Sequence, residues 1–334
     1  MNRRFHVYGL GNAIMDLQLK AKDSDLEKLK LLKGGMKLVE PEDQKALLEH
    51  LHGYDIHQAS GGSAANTMIA IAQLGGFVAY GCVVGDDLYG NFYLEEMEQL
   101  GVLLHTLPLP GRTTGTCVIL VTPDAERTMN THLGASVELD EEHVNEELIA
   151  DSEWIYIEGY LFSQASGQRV VKRAIELAVK HKTKIAMTFS DGFIVDVFGG
   201  PLREAAQSAD LVFANFTEAS KFTGATNPDE VYSKFAASFP AAVMTMSEKG
   251  ARVRFEGKDY LIPPFPTKAV DDTGAGDMFA GGFLYGLSEG MEPEEAGRLA
   301  CYLASRVVSQ LGPRLQCDVK ELLSKKEFLP APAA

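Results

Sequence analysis

The sequence predicts an α/β protein: a doubly wound, mainly parallel sheet with helices on both faces, plus a small β lid assembled from separate parts of the chain. Three observations carry this. Between residues 154 and 246, strand-like runs alternate with helical ones, the rhythm of a parallel sheet with right-handed crossovers. Residues 13–40 and 110–132 break that rhythm with short strands and a hairpin. Glycines run directly into helix-forming stretches at 60–66 and 271–277.

In chain order, 5–10 (FHVYGL) reads as a buried first strand, and 14–20 alternates apolar and polar residues as a half-buried strand does. Helices are expected at 24–32 and 41–52, the second opened by Pro41 and acidic residues, with a strand at 34–39 between them. The Ser60-Gly61-Gly62-Ser63-Ala64-Ala65-Asn66 stretch opens a further helix. A strand at 78–83 and an amphipathic helix at 87–100 follow. Strands at 117–122 and 127–131, split by Pro123-Asp124-Ala125, form a hairpin. The alternating part then has strands at 154–157, 184–189, 211–213 and 242–246, with helices at 168–181, 201–207 and 228–239. Two long helices, 277–288 and 294–310, close the fold, and 327–334 is a loose tail. The expected division is a large domain of 1–12, 41–109 and 133–326 and a discontinuous lid of 13–40 and 110–132.

Composition excludes several function classes. The chain has 334 residues, 46% hydrophobic and 23% charged, with a formal net charge of −15. That balance disfavours a nucleic-acid or anionic-membrane surface, which needs clustered Lys and Arg. No apolar run approaches the ~20 residues that span a bilayer, and the start reaches Asp16 too early for a signal peptide. The four cysteines, Cys82, Cys117, Cys301 and Cys317, lack metal-site spacing and read as free thiols of a reducing compartment. The expectation is a soluble cytoplasmic protein that binds small molecules. Monomer and homodimer both remain open.

The chemistry concentrates at Asp271-Asp272-Thr273-Gly274-Ala275-Gly276-Asp277. The first N–H groups of a helix lack intrahelical acceptors, and the helix dipole makes them an anion site. Gly274, Ala275 and Gly276 leave that backbone uncovered. Asp277, in the first turn, suits a general base working beside a stabilised phosphoryl group. Read locally, the same pattern also describes a capped structural helix. In the 60–66 stretch, Asn66 offers a donor and an acceptor, and Asp16 stands near the end of the first strand. Amide and carboxylate together suit a vicinal diol.

The 271–277 stretch, with Gly281-Gly282 after it, resembles the C-terminal signature of the PfkB family, the ribokinase-like kinases of sugars and nucleosides. Asp272 departs from the family's usual Thr. The resemblance spans roughly 5–315 and implies ATP-dependent phosphorylation of an alcohol group, with Asp277 as base and Gly274, Ala275 and Gly276 as anion hole. It implies that Asp16, Gly61, Gly62 and Asn66 hold substrate hydroxyls. Asn215-Phe216-Thr217-Glu218 is similar to the family's N-x-x-E motif, implying that Asn215 and Glu218 organise Mg²⁺, through water, and phosphate. Thr245, Ser247 and Gly250 match a turn beside the nucleotide, where Ser247 replaces a glycine. Thr273 also falls at the nucleotide, and a monovalent-cation (K⁺) site would include Asp271 and Thr273. Asn12, Asp16, residues 114–117, Glu158 and Tyr160 look more like the adenosine-kinase branch than the ribokinase branch. This implies a purine nucleoside phosphorylated on its 5′-hydroxyl, walled by Tyr160 and Phe162. A sugar kinase is the alternative. A non-catalytic ligand-binding protein and an NAD-dependent dehydrogenase built on Gly9-Leu10-Gly11 are distant ones; the latter has Ile14 where the fingerprint needs its third glycine.

Overall fold

The computed structural model describes residues 3–106 and 108–329. The elements are β1 (Phe5–Leu10), β2 (Ile14–Lys20), α1 (Asp23–Leu29), β3 (Met36–Leu38), α2 (Pro41–His50), β4 (His57–Gly61), α3 (Ser63–Gln73), β5 (Val78–Gly81), α4 (Leu88–Gln99) and β6 (Val102–Leu104). Then come β7 (Gly115–Val121), β8 (Arg127–His132), α5 (Glu146–Ala150), β9 (Ser152–Glu158), α6 (Ala165–His181), β10 (Lys184–Thr188), α7 (Gly192–Ala206), β11 (Leu211–Asn215), α8 (Phe216–Thr223) and α9 (Pro228–Ala237). The chain finishes with β12 (Ala241–Thr245), β13 (Ala251–Phe255), β14 (Lys258–Ile262), α10 (Ala275–Ser288), α11 (Pro293–Val307) and α12 (Val319–Ser324).

Nine strands form the large sheet in the order β14-β13-β12-β11-β10-β9-β1-β5-β6. From β6 to β12 in this order all neighbours pair in parallel, as their apolar runs and intervening helices require, and only the β12–β13 and β13–β14 pairs are antiparallel. One apolar core lies on each face. Ile155, Ile157, Met187 and Val212 meet α6, α7 and α9 on one side; Val7, Tyr156, Phe213 and Val243 meet α3, α10 and α11 on the other. The carboxyl ends of β1, β9, β11 and β12 therefore share one rim, the usual position of a ligand crevice in an open α/β sheet.

A second, five-stranded sheet has the order β3-β8-β7-β2-β4. Strand β2, next to its central strand β7, pairs in parallel with β7 and antiparallel with β4. Strand β2 is not half-buried: every residue from Ile14 to Leu19 is buried. Leu17 and Leu19 pack with Leu26, Leu47 and Leu120 under α1 and α2. The polar positions of its alternation, Asp16 and Gln18, face the crevice and the large domain rather than solvent.

The lid is larger than the sequence suggested. Strand β4 belongs to the small sheet, and α2 packs on it, Gln44 donating to the Thr116 and Asn130 carbonyls at 3.0 and 3.1 Å. Residues 41–61 thus go with the lid and not with the large domain. Helix α7 begins at Gly192, capped by Asp191, and crosses a kink at Phe198 before Pro201. The hairpin β13–β14 was not anticipated, although Arg252, Arg254 and a Glu256-Gly257 turn are a readable hairpin pattern. The tail is not loose at 327–329. Phe328 is buried, its carbonyl accepts from Arg298 Nε at 2.7 Å, and Glu327 accepts from Tyr302 Oη at 2.8 Å. Residues 330–334 lie outside the described residues. Strand β1 runs into β2 with no helix after Gly11, which removes the dinucleotide fingerprint.

Candidate active site

The two sheets enclose a cleft of about 750 Å³, counting its open mouth, within the ~300–1,000 Å³ usual for small-molecule sites. Its floor is polar and belongs mostly to the large domain: Asn12, Gly62, Ser63, Asn66, Glu158 and Asp277. Its roof is the underside of the small sheet, with Asp16 and Arg127 set among Ile14, Met36, Leu38, Ile119 and Met129.

Helices α3 and α10 meet at this floor. The Ser63 hydroxyl donates to Asp277 Oδ1 at 2.7 Å, and Asn66 Nδ2 donates to Oδ2 at 3.3 Å. Among the described residues the Asn66 Oδ1 atom is buried without a partner, an acceptor on a residue that lines the cleft. Burial raises the Asp277 carboxyl above the usual range, against the Ser63 hydrogen bond and the charge of Arg127. Burial likewise lifts Asp16 to about 7, although Arg314 and Arg127 pull it down.

At the start of α10 the Ala275 N–H turns back to the Asp272 carbonyl at 3.2 Å, and Met278 is the first to take a helical acceptor, Gly274 O at 2.8 Å. Among the described residues the N–H groups of Gly274, Gly276 and Asp277 have no partner. A Cβ at Gly276 would meet nothing within 4 Å, so this backbone faces open space. The open donors are thus Gly274, Gly276 and Asp277; of the three expected, only Ala275 is engaged.

Glu158 lines the cleft but is held by the protein itself. Its Oε1 accepts from Asn12 N at 2.7 Å and Asn12 Nδ2 at 3.0 Å, and its Oε2 accepts from Ala64 N at 2.8 Å. Burial raises it to about 7 against those donors. Tyr160 is in the cleft wall, whereas Phe162 is in the core beneath it, buried with Ile157 and Phe189. The aromatic wall expected from both is therefore Tyr160 alone, and the apolar surface comes from the lid.

Along the rim, Asn215 and Glu218 bind each other in a capping box. Asn215 N and Nδ2 donate to Glu218 Oε2 and Oε1 at 3.0 and 2.6 Å, and Glu218 N donates back to Asn215 Oδ1 at 2.9 Å. Burial lifts Glu218 to about 7, opposed by the Asn215 N–H. Thr245 is the register partner of Asn215 across β11 and β12. Ser247 and Gly250, both at positive φ, form the turn after β12. None of these five motif residues lines the cleft itself. Asp271 and Thr273 lie just behind the start of α10, and Thr273 reaches the cleft edge.

Three residues of the site were not foreseen. Arg127, on β8, approaches Asp272 with Nε 3.6 Å from Oδ1. Ser63 is marked in the sequence only as part of the glycine-to-helix stretch, with no role of its own. Arg314, from the C-terminal loop, donates to Ser60 Oγ at 2.9 Å and pairs with Glu96 at 3.1 Å, fastening β4 to that loop. Arg127 and Arg314 stand alone in loops or at strand starts, with no local pattern to mark them.

The model of the pfkB family carbohydrate kinases matches residues 35–320. The chain belongs to the PfkB family. It is accordingly a kinase with an alcohol group as acceptor. A probable sugar kinase from Rhizobium etli is 35% identical and superposes with a TM-score of 0.93 over 98% of this chain and 100% of that one. An adenosine kinase from Sinorhizobium meliloti is 34% identical, with a TM-score of 0.92 over 97% and 99% of the two chains. Adenosine kinase 1 of Arabidopsis thaliana is 26% identical, over 92% of this chain and 94% of its own. The ribokinase-like fold and the kinase class expected from the signature are both borne out. Among the described residues no helix is long and apolar enough to cross a membrane.

Proposed function

We propose that this PfkB kinase transfers the γ-phosphoryl of ATP to the 5′-hydroxyl of a purine nucleoside, adenosine first among them. The observation that carries this is the two-sided cleft. Asp16 and the free Asn66 Oδ1 offer acceptors for sugar hydroxyls, and the roof of Ile14, Met36, Leu38, Ile119 and Met129 offers an apolar slot. A bare sugar leaves that slot unfilled, while a flat base buries against it, worth roughly 25 cal/mol per Å². Tyr160 adds one aromatic contact.

In this reading the nucleoside lies with its base under the lid, its diol on Asp16 and its 5′-hydroxyl against Asp277. Asp277, held in place by Ser63 and Asn66, takes the hydroxyl proton as the oxygen attacks the phosphoryl group. The Gly276 and Asp277 N–H groups and the Arg127 guanidinium stabilise the charge on the transferring group. The lid, carrying Asp16 and Arg127, closes over both substrates and excludes water.

Glu218 fits a role near Mg²⁺: each carboxylate oxygen takes one N–H of Asn215 and keeps lone pairs free, and among the described residues no Lys or Arg forms an ion pair with it. When bound, Mg²⁺ screens the phosphate charge, and Asn215 and Glu218 would hold it through water. Glu158 acts as a brace on Asn12 and α3 rather than as a direct ligand.

The test compares kcat/KM for adenosine, 2′-deoxyadenosine, inosine, ribose and fructose with ATP and Mg²⁺. Adenosine should lead, and loss of the 2′-hydroxyl should cost at least tenfold, because Asp16 is left unpaired. A lead for ribose or fructose over every nucleoside replaces this reading with a sugar kinase.

A further inference from the structure

The PfkB resemblance brings with it a monovalent-cation site behind the anion hole, with Asp271 and Thr273 as ligands. The residues present do not fit one. Asp271 is fully buried. Its Oδ1 accepts from Thr273 N at 2.9 Å and from Thr273 Oγ1 at 2.6 Å. Its Oδ2 accepts from Gly312 N at 2.8 Å and from Gln18 Nε2. A carboxylate offers about four lone-pair sites, and all four are taken by protein donors. The nearby Val308 carbonyl is also used, accepting from Val270 N at 2.8 Å and Asp271 N at 3.3 Å.

The fourth donor is the unusual one. Gln18 is 2% exposed and comes from β2 of the lid, 253 positions away in sequence. Its amide also donates to Thr273 Oγ1 at 3.3 Å. Both acceptors need a donor, so the –NH₂ end of the amide faces them. Gln18 stands two residues from Asp16 on the same face of β2.

We infer that Gln18 is a positioning residue of this kinase: its amide does the work of the cation, anchoring Asp271 and Thr273 so that the N–H groups of Gly276 and Asp277 are held ready for the phosphoryl group. Catalysis is then independent of monovalent cations. The lid strand that carries Asp16 is at the same time hydrogen-bonded to the turn that carries the anion hole. The inference rests on the kinase class and not on adenosine as acceptor.

The experiment uses the full chain, the acceptor turned over in the panel above, and ATP with Mg²⁺. Wild-type kcat in K⁺ and in tetramethylammonium should agree within about twofold, and K⁺ should leave its melting temperature unchanged. Gln18→Ala frees one site on Asp271. It should lower kcat about tenfold in tetramethylammonium with the acceptor KM nearly unchanged, the loss expected when one hydrogen bond to a charged group is removed. K⁺ should then restore part of kcat and raise the melting temperature of this variant, because a cation binding only the folded state stabilises it. Melting needs no acceptor, so an error in the nucleoside assignment leaves that readout intact. Strong activation of the wild type by K⁺ overturns the inference. So does a Gln18→Ala enzyme with full kcat in tetramethylammonium, or one whose loss K⁺ does not touch. Gln18→Met, of similar length and without a donor, serves if Gln18→Ala does not fold, and the wild-type comparison decides independently of either.

Discussion

Helices α3 and α10 begin alike in sequence, each entered from glycines, and pack together at the cleft floor, yet a carboxylate of the protein binds a first-turn N–H of only one of them. At α3 the Ala64 N–H is closed by the protein's own carboxylate, Glu158, at 2.8 Å. At α10 the Gly276 and Asp277 N–H groups are left open. Gly62 has φ +102°, and a Cβ there would stand 2.2 Å from the Asn12 carbonyl oxygen, whereas a Cβ at Gly276 would meet nothing. The glycine at α3 serves the fold; the one at α10 leaves room for a ligand. A glycine-to-helix junction therefore announces a potential anion site, and the neighbours decide whether it is one.

The largest expected effect tests the open terminus through its carboxylate. Asp277→Asn should lower kcat by ~10²–10⁴-fold, the usual worth of a general base, while ATP affinity, measured by equilibrium titration, survives. A kcat within a few-fold of wild type removes Asp277 from proton transfer.

The pair of glycines sharpens the contrast. Gly62→Ala should destabilise the protein by at least ~1–2 kcal/mol, from positive φ and a backbone clash. Gly276→Ala should leave thermal stability unchanged or raise it by up to ~1 kcal/mol, as Ala for Gly in a helix does. It should nevertheless cost on the order of 10–100-fold in kcat, since a methyl displaces the phosphoryl group. Equal losses of stability in the two variants would erase the distinction.

The smallest effect concerns the lid carboxylate above both helices. Asp16 ionises near 7 when folded and near 3.9 when unfolded. Between these values the folded state binds more protons, so this group's contribution to stability falls as pH rises and its full cost is present above about 7. Asp16→Asn should therefore stabilise the substrate-free protein at pH 8 relative to pH 5, by a few kcal/mol at most. It should also weaken acceptor binding. A stability difference that does not change with pH would show that burial does not raise this carboxyl.

The contents of the site were legible only where chemistry and chain order coincide. Asp277 and Asn66 could be named because each lies in the first turn of a glycine-entered helix, and Asp16 because it comes soon after β1, although it sits within β2 and not at a strand end. Asn215 and Glu218 could be named as a pair because positions three apart share one helical turn. Arg127 and Gln18 could not, because their partners, Asp272 and Asp271, are more than 140 positions away. The strand His57–Gly61 was missed for a related reason. HQASG has no strand propensity of its own and becomes a strand by pairing with β2.

The sequence by itself determined the alternating elements, the buried parallel strands and the two glycine-entered helices, since periodicity and backbone freedom are properties of neighbouring residues. Only the tertiary structure decided which helix terminus receives a carboxylate of the protein, which carboxylate is a brace, and which wall of the cleft is apolar. Burial, hydrogen-bond saturation and electrostatic surroundings arise between residues far apart in the chain. No local pattern encodes that Glu158 binds the first turn of α3, or that a glutamine from the lid completes the shell of Asp271.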